Sequence, residues 1–237
     1  MTAVVGLLGW LVLAALAIGL GALVTHFVVG HSLGHGDLDV ARWFAERRTD
    51  TWNSLSKVGS YFGETVTVLA VIAITLVVLA IKRAWPQFGL LVIAMAAEGG
   101  VYATATYFIS RNRPAVSRLE DLIVKDSYPS GHTAASMALY GSLCIIVWSL
   151  TRSRLWRGLF LALAILGPLI VGTSRAYRGM HNATDVICGL LIGAGCITVG
   201  YVAVKAGLAA AHRDREGRAL EEPPAEPRSL RFVQGVA

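Results

Sequence analysis

Three short polar segments of this sequence carry side chains suited to binding and transferring a phosphoryl group. They are residues 113–114, 129–132 and 174–185, and together they contain three arginines, two histidines and a carboxylate. Guanidinium groups bind phosphate oxygens in pairs, and imidazoles act as nucleophiles or acid–base groups near neutral pH. Each segment lies where a long apolar run meets a short polar loop. We therefore expect a site for phosphate-ester hydrolysis at a membrane surface.

The segment Pro-Ser-Gly-His at 129–132 immediately precedes an apolar run, which predicts a helix N-terminus. Ser130 can cap that helix, and Gly131 lets the backbone approach a ligand closely. Free N–H groups and the positive end of the helix dipole favour an anion at this position. We expect His132 to point into the same space.

In the third segment, His181 and Asp185 are four residues apart at the entry to an apolar run. On a helix they share one face, where the carboxylate can hold one ring nitrogen and leave the other free to attack. Arg175 precedes them by a few residues, and Arg113 ends an earlier apolar run. Two guanidinium groups can neutralise a phosphate dianion.

Composition places the chain in a membrane. Of its 237 residues, 55% are hydrophobic and only 15% are charged, whereas soluble domains carry about 25% charged residues. The net charge of +6 comes from scattered basic residues that form no stripe, so nucleic acid is not an expected partner. We expect no metal and no cofactor, because the sequence contains no carboxylate cluster.

Six apolar runs are long enough to cross a bilayer, which requires about 17–25 residues. In lipid they must be helices, and we predict an all-α, six-helix transmembrane bundle. The runs lie near residues 4–29, 65–81, 87–110, 131–150, 158–174 and 185–204.

Loop charge predicts the orientation. The short loops at 82–86 and 151–157 hold Lys and Arg but no acid, which is typical of cytoplasmic loops. The phosphate-binding loops would then face outward and both termini would be cytoplasmic. In the first outer loop, residues 38–61 predict one or two amphipathic helices, lying either at headgroup level or packed on the bundle. Residues 1–208 would form the membrane domain, with the motifs at about 65–205, and 209–237 a disordered cytoplasmic tail.

The three segments resemble the signature of the type 2 phosphatidic acid phosphatase family, which shares its phosphate pocket with the vanadium haloperoxidases. That signature is Lys-x6-Arg-Pro, Pro-Ser-Gly-His and Ser-Arg-x5-His-x3-Asp, and the last two parts are intact here. The resemblance implies that His181 forms a phosphohistidine, Asp185 orients it and His132 protonates the leaving group. It also implies a set of groups that hold the phosphoryl oxygens: Arg113, Arg175, Ser130 and the Gly131 amide.

The first part of the signature is incomplete, because Thr106 stands where the family has lysine. Losing one such charge contact typically costs about 2–4 kcal/mol of transition-state stabilisation. Arg178 and Lys125 are the candidates for the missing charge, and the alternative for each is a loop charge that faces water or a lipid phosphate.

The resemblance implies an integral-membrane phosphatase acting on a lipid phosphate, such as an isoprenoid diphosphate or a glycerophospholipid phosphate. The outward-facing pocket and the compact six-span chain favour a bacterial cell membrane and a carrier lipid of the cell envelope. The alternative is a non-catalytic membrane protein that binds a phosphorylated lipid in a decayed pocket. The complete set of His132, His181 and Asp185 favours the enzyme, since a binding protein has no need of it.

Overall fold

The described part of the chain is built from helices. The computed structural model describes residues 1–28, 32–121 and 124–221, and no strand occurs within these ranges. The α-helices there are α1 (Thr2–Leu23), α2 (Ser32–Glu46), α3 (Asp50–Tyr61), α4 (Thr65–Ile81), α5 (Trp85–Phe108), α6 (Gly131–Leu150), α7 (Arg154–Tyr177) and α8 (Ala183–Glu221). A π-helical turn, Val24–Val28, continues α1. The predicted all-α fold is confirmed.

Five helices are long and apolar enough to cross a membrane: α1, α5, α6, α7 and α8. A sixth crossing results if α3 and α4, which meet at 40°, are counted as one bent span. Each predicted apolar run lies in one of these helices or in α4. This number of spans agrees with the predicted bundle.

The first predicted outer loop forms the two short helices α2 and α3. The Thr49 hydroxyl caps α3 by accepting a hydrogen bond from the backbone N–H of Trp52 at 3.3 Å. One face of α3 packs against α7, while Trp52 on another face is 58% exposed. The loop is therefore packed on the bundle and still presents apolar side chains outward.

The C-terminal boundary differs from the prediction. Helix α8 continues to Glu221, so residues 209–221 are helical rather than disordered, and residues 222–237 lie outside the described part. Alanine, arginine and glutamate dominate the extension, and all three favour helices. On the exposed surface of this extension, Nδ1 of His212 lies 3.3 Å from Oε2 of Glu216, one helical turn later.

Close approach of α6 and α8 brings the second and third segments together. A Cβ added to Gly189 would lie 2.7 Å from the Ser130 carbonyl oxygen, and one added to Gly193 would lie 2.6 Å from that of Ala134. Only glycine permits this separation, as in other closely packed membrane helices. The two glycines thus set the distance between the helix starts that carry His132 and Asp185.

This packing predicts that Gly193→Ala lowers the free energy of unfolding by about 1–3 kcal/mol, since the new methyl group must push the helices apart. Thermal unfolding of the detergent-solubilised protein measures the effect. Gly99→Ala in α5 is the matched control, because its added Cβ would meet no described residue within 4 Å apart from its chain neighbours and the backbone of its own helix. Equal melting temperatures for the two variants would contradict the proposed contact.

Candidate active site

A polar cavity of about 550 Å³ opens where α5 and α7 end and α6 and α8 begin. All three predicted segments contribute to its wall, through Arg113, Gly131, His132, Arg175 and His181. Residues that are distant in sequence therefore share a single space. Both imidazoles and both motif arginines face this cavity from the same end of the bundle.

The ring of His181 is held in one tautomer. Its Nδ1 lies 2.7 Å from the backbone carbonyl oxygen of Ser127. A carbonyl can only accept, so Nδ1 carries the hydrogen and a neutral ring leaves Nε2 with a free lone pair. Burial, followed by the charges of Arg175 and Arg113, lowers the pKa of His181 well below its usual value. The imidazole is therefore neutral at pH 7, as a nucleophile requires.

Asp185 supports this arrangement indirectly, and not through the direct contact with the ring that the sequence predicts. The Ser127 carbonyl, rather than the carboxylate, holds the ring nitrogen of His181. The fully buried carboxylate instead accepts hydrogen bonds from the Ser127 hydroxyl at 2.5 Å and from the Asn182 backbone N–H at 2.9 Å. It thereby fixes the loop whose carbonyl orients the imidazole. Asp185 lies in the first turn of α8, behind the cavity wall.

A buried ion-pair network lies beneath Asp185. Arg111 pairs with Asp185 and also donates to Asp37 of α2 at 2.8 Å. Asp37 in turn accepts from the backbone N–H of Thr184 at 2.9 Å. Sequence analysis did not identify Asp37, which is 74 residues from Arg111 and belongs to no motif.

Arg175 keeps donors available beyond those it uses within the described residues. Its Nη1 donates to the Ser60 hydroxyl at 3.0 Å and to the Glu120 carboxylate at 2.5 Å. Its Nε is buried and has no hydrogen-bond partner among the described residues. A buried donor without an acceptor costs free energy, and a phosphoryl oxygen in the cavity can supply that acceptor.

Arg113 is anchored by backbone oxygens. It donates to the Val124 carbonyl at 2.8 Å through Nη2 and to the Met180 carbonyl through Nη1. Burial, and then the nearby charge of Arg175, lowers the pKa of the Arg113 guanidinium. Two cations are thus held close together in a partly buried space, which favours an anion between them.

The two predicted replacement cations have different positions. Arg178 is buried and lines the cavity, but its donors already bind Glu120, the Asn53 carbonyl at 3.1 Å and the Leu119 carbonyl at 3.0 Å. Lys125 is exposed and is not part of the cavity wall. Neither residue offers the free charge expected of it.

Glu120 is a cavity residue that sequence analysis missed. Its carboxylate binds both Arg175 and Arg178. Burial alone would raise the pKa of Glu120, but the two guanidinium groups hold it below its usual value. The ionised carboxylate therefore offsets positive charge that would otherwise be available to a phosphate.

The remaining predicted residues lie around the start of α6. Gly131 lines the cavity, where an added Cβ would lie 2.7 Å from the ring of Tyr102. Ser130 is at the N-cap position but makes no capping hydrogen bond. It is fully buried outside the cavity wall, and its hydroxyl lies 2.8 Å from that of Thr133. Thr106 is also absent from the wall, and its hydroxyl is buried without a partner among the described residues.

Comparison with known proteins agrees with this architecture. Residues 87–207 match the PAP2 superfamily. The crystal structure of the first transmembrane PAP2 type phosphatidylglycerolphosphate phosphatase from Bacillus subtilis superposes with a TM-score of 0.64 at 21% identity, covering 87% of this chain and 96% of that one. The crystal structure of Aquifex aeolicus LpxE gives 0.55 at 24% identity, covering 71% and 94%.

A curated relative is sphingosine-1-phosphate phosphatase 2 of Mus musculus, which is 34% identical over 91 residues. The match covers 38% of this chain and only 25% of the length of the relative. The helices and the cavity thus define a helical membrane fold with a cation-lined cavity at one end. This chain belongs to the PAP2 superfamily, and it is an integral membrane protein.

The buried network predicts that Arg111→Met lowers the free energy of unfolding by about 3–5 kcal/mol, because it leaves Asp37 and Asp185 without their shared cation. Thermal unfolding in detergent tests this expectation. Arg152→Met is the control, since Arg152 is exposed in the loop before α7. A melting temperature that falls no further for Arg111→Met than for the control would refute the structural role of the network.

The position of Glu120 predicts that Glu120→Gln tightens the binding of inorganic phosphate about threefold to tenfold, because one negative charge leaves the cavity. Phosphate-dependent shifts of the melting temperature give the dissociation constant. Asp121→Asn removes an adjacent carboxylate that lines the cavity without pairing to arginine, and a smaller change is expected. Weaker phosphate binding in Glu120→Gln would show that the carboxylate serves only to hold the arginines in place.

Proposed function

We propose that this protein is a lipid phosphatase that hydrolyses a phosphomonoester or diphosphate of a membrane lipid through a phosphohistidine on His181. One observation carries the proposal. Among the described residues, a neutral imidazole with a free Nε2 shares a cavity with a second imidazole and with an arginine whose buried Nε lacks an acceptor. Those groups are the ones that phosphoryl transfer by covalent catalysis requires.

The reaction proceeds in two displacements. Nε2 of His181 attacks phosphorus, the bond from phosphorus to the lipid oxygen breaks, and His132 donates a proton to that oxygen. His132 then accepts a proton from water as the water oxygen attacks the phosphohistidine, and His181 and inorganic phosphate are released. Arg113, Arg175 and the N–H groups at the start of α6 stabilise the charge on the phosphoryl oxygens.

A non-catalytic phosphate-binding protein is the second candidate, and the geometry favours it less. Binding an anion requires the arginines but does not require a fixed tautomer. Here Asp185 and Ser127 together orient one ring so that its free nitrogen can face the cavity. Such support has a clear role only if His181 reacts.

The membrane and the relatives support a lipid phosphate as the substrate class. The named relatives act on phosphatidylglycerolphosphate and sphingosine-1-phosphate according to their descriptions, and an isoprenoid diphosphate or a glycerophospholipid phosphate fits the same polar cavity. The location of the cavity near lipid-exposed helices supports a substrate that stays in the bilayer.

We further propose that the cavity faces the outside of a bacterial cell membrane and that both termini are cytoplasmic. The basic loops at 82–86 and 151–157 lie at the helix ends opposite the cavity. A Cβ added to Gly207 of α8 would meet the Thr2 side chain, which places the start of α1 beside the second half of α8. The positive-inside rule assigns that side to the cytoplasm.

This mechanism predicts that His181→Ala lowers phosphate release from a lipid phosphate by roughly 10³-fold or more, since the covalent step is lost. The assay uses purified protein in detergent with a metal chelator present. His212→Ala is the matched control, because His212 is exposed on the C-terminal extension of α8. Turnover by the His181 variant at the wild-type rate would exclude His181 as the nucleophile.

A further inference from the structure

We infer that Lys57 of α3 is a phosphate-binding residue of this site, supplied from outside the three motif segments. The inference rests on the proposed function only in taking the polar cavity as the place where the phosphoryl group binds. Lys57 belongs to the amphipathic first loop, whose contribution to the site is not evident from the sequence.

One face of α3 is docked on the arginines of the cavity. The Ser60 hydroxyl accepts a hydrogen bond from Arg175 at 3.0 Å, and the Ser56 hydroxyl accepts one from Arg178 at 3.3 Å. Lys57 is three residues before Ser60, so both lie on the same side of the helix. Lys57, Ser60 and Tyr61 all line the cavity. The contacts of its neighbours therefore hold Lys57 at the edge of the arginine cluster.

Four cationic side chains line this cavity, namely Lys57, Arg113, Arg175 and Arg178. The three arginines donate hydrogen bonds to protein oxygens. Lys57 forms neither a hydrogen bond nor a salt bridge within residues 1–28, 32–121 and 124–221. Its ammonium group has three donors, and in this part of the chain none is already engaged.

The charge balance of the cavity gives Lys57 a role. A phosphomonoester carries about −1.5 to −2 charges at pH 7. Glu120 already offsets part of the positive charge of Arg175 and Arg178, and the carboxylates of Glu64 and Asp121 also line the cavity. When the dianion binds, the ammonium group of Lys57 adds one further positive charge to the cavity. The flexible stem of lysine lets the ammonium follow the phosphoryl oxygens as the bond to the lipid breaks.

The test measures binding of inorganic phosphate to the full chain in a non-ionic detergent, from phosphate-dependent shifts of the melting temperature. We expect Lys57→Met to weaken binding about tenfold, the effect of one charge-assisted hydrogen bond. Lys57→Arg should stay within about threefold of wild type, since it keeps the charge. Lys82→Met is the matched control, because Lys82 is exposed at the other end of the bundle.

Equal phosphate affinity in Lys57→Met and wild type would overturn the inference. So would a loss of turnover that appears only on anionic vesicles while phosphate affinity is unchanged, because Lys57 would then contact bilayer headgroups and not the reacting phosphate. If Lys57→Met melts early without phosphate, Lys57→Gln replaces it. Failure of the proposed hydrolase remains distinguishable: the wild type would bind phosphate in a Lys57-dependent way yet release none from lipid phosphates.

Discussion

The hydrogen bond between His181 and the Ser127 carbonyl is the interaction on which the site depends. It determines which ring nitrogen is free, and the free nitrogen determines whether the residue can act as a nucleophile. A backbone carbonyl can serve only if its peptide is held in place. Here the hydroxyl of the same residue binds Asp185, and Asp185 is tied to Arg111 and through it to α2. A network of buried charges therefore positions one neutral imidazole.

Positive charge concentrated in a partly buried space is the second constraint. Arg113, Arg175 and Arg178 would repel one another if they were left alone. Contacts with backbone carbonyls, with the serine hydroxyls of α3 and with the carboxylate of Glu120 offset this repulsion. Glu120 stabilises the empty site and reduces its attraction for a phosphate at the same time. The affinity of such a site is a compromise between a stable unoccupied cavity and tight binding of the dianion.

Helix α3 lies between the apolar outer surface of the protein and the candidate active site. The face of α3 that carries Ser56 and Ser60 packs against α7 and binds two arginines of the site, while a tryptophan on another face remains exposed. A residue on such a helix can influence both how the protein meets lipid and how the cavity holds an anion. This double role explains how the helix can contribute a cation to a site whose motifs lie elsewhere in the chain.

The sequence by itself determined the helices and the motif residues. Apolar length decides what can cross a bilayer, and proline, serine and glycine mark where helices begin, so the six predicted runs correspond closely to α1 and α4–α8. The spacing of His181 and Asp185 placed Asp185 correctly at the start of α8, but His181 lies before that helix begins at Ala183, so the two residues do not share a helical face. The helical extension of α8 was missed because its polar composition was interpreted as disorder, although alanine and charged pairs favour a helix.

Only the tertiary structure decided which groups touch. Asp37, Ser127 and Glu120 belong to no local pattern, and their contacts with His181, Arg175 and Thr184 join residues 54 to 147 positions apart in the chain. Two contacts depend on how closely α6 and α8 approach each other at two glycines. One joins Asp185 to Ser127, and the other joins the Ser127 carbonyl to His181. Spacing along one helix shows which residues share a face, whereas hydrogen bonds between segments follow from packing, which no single segment encodes.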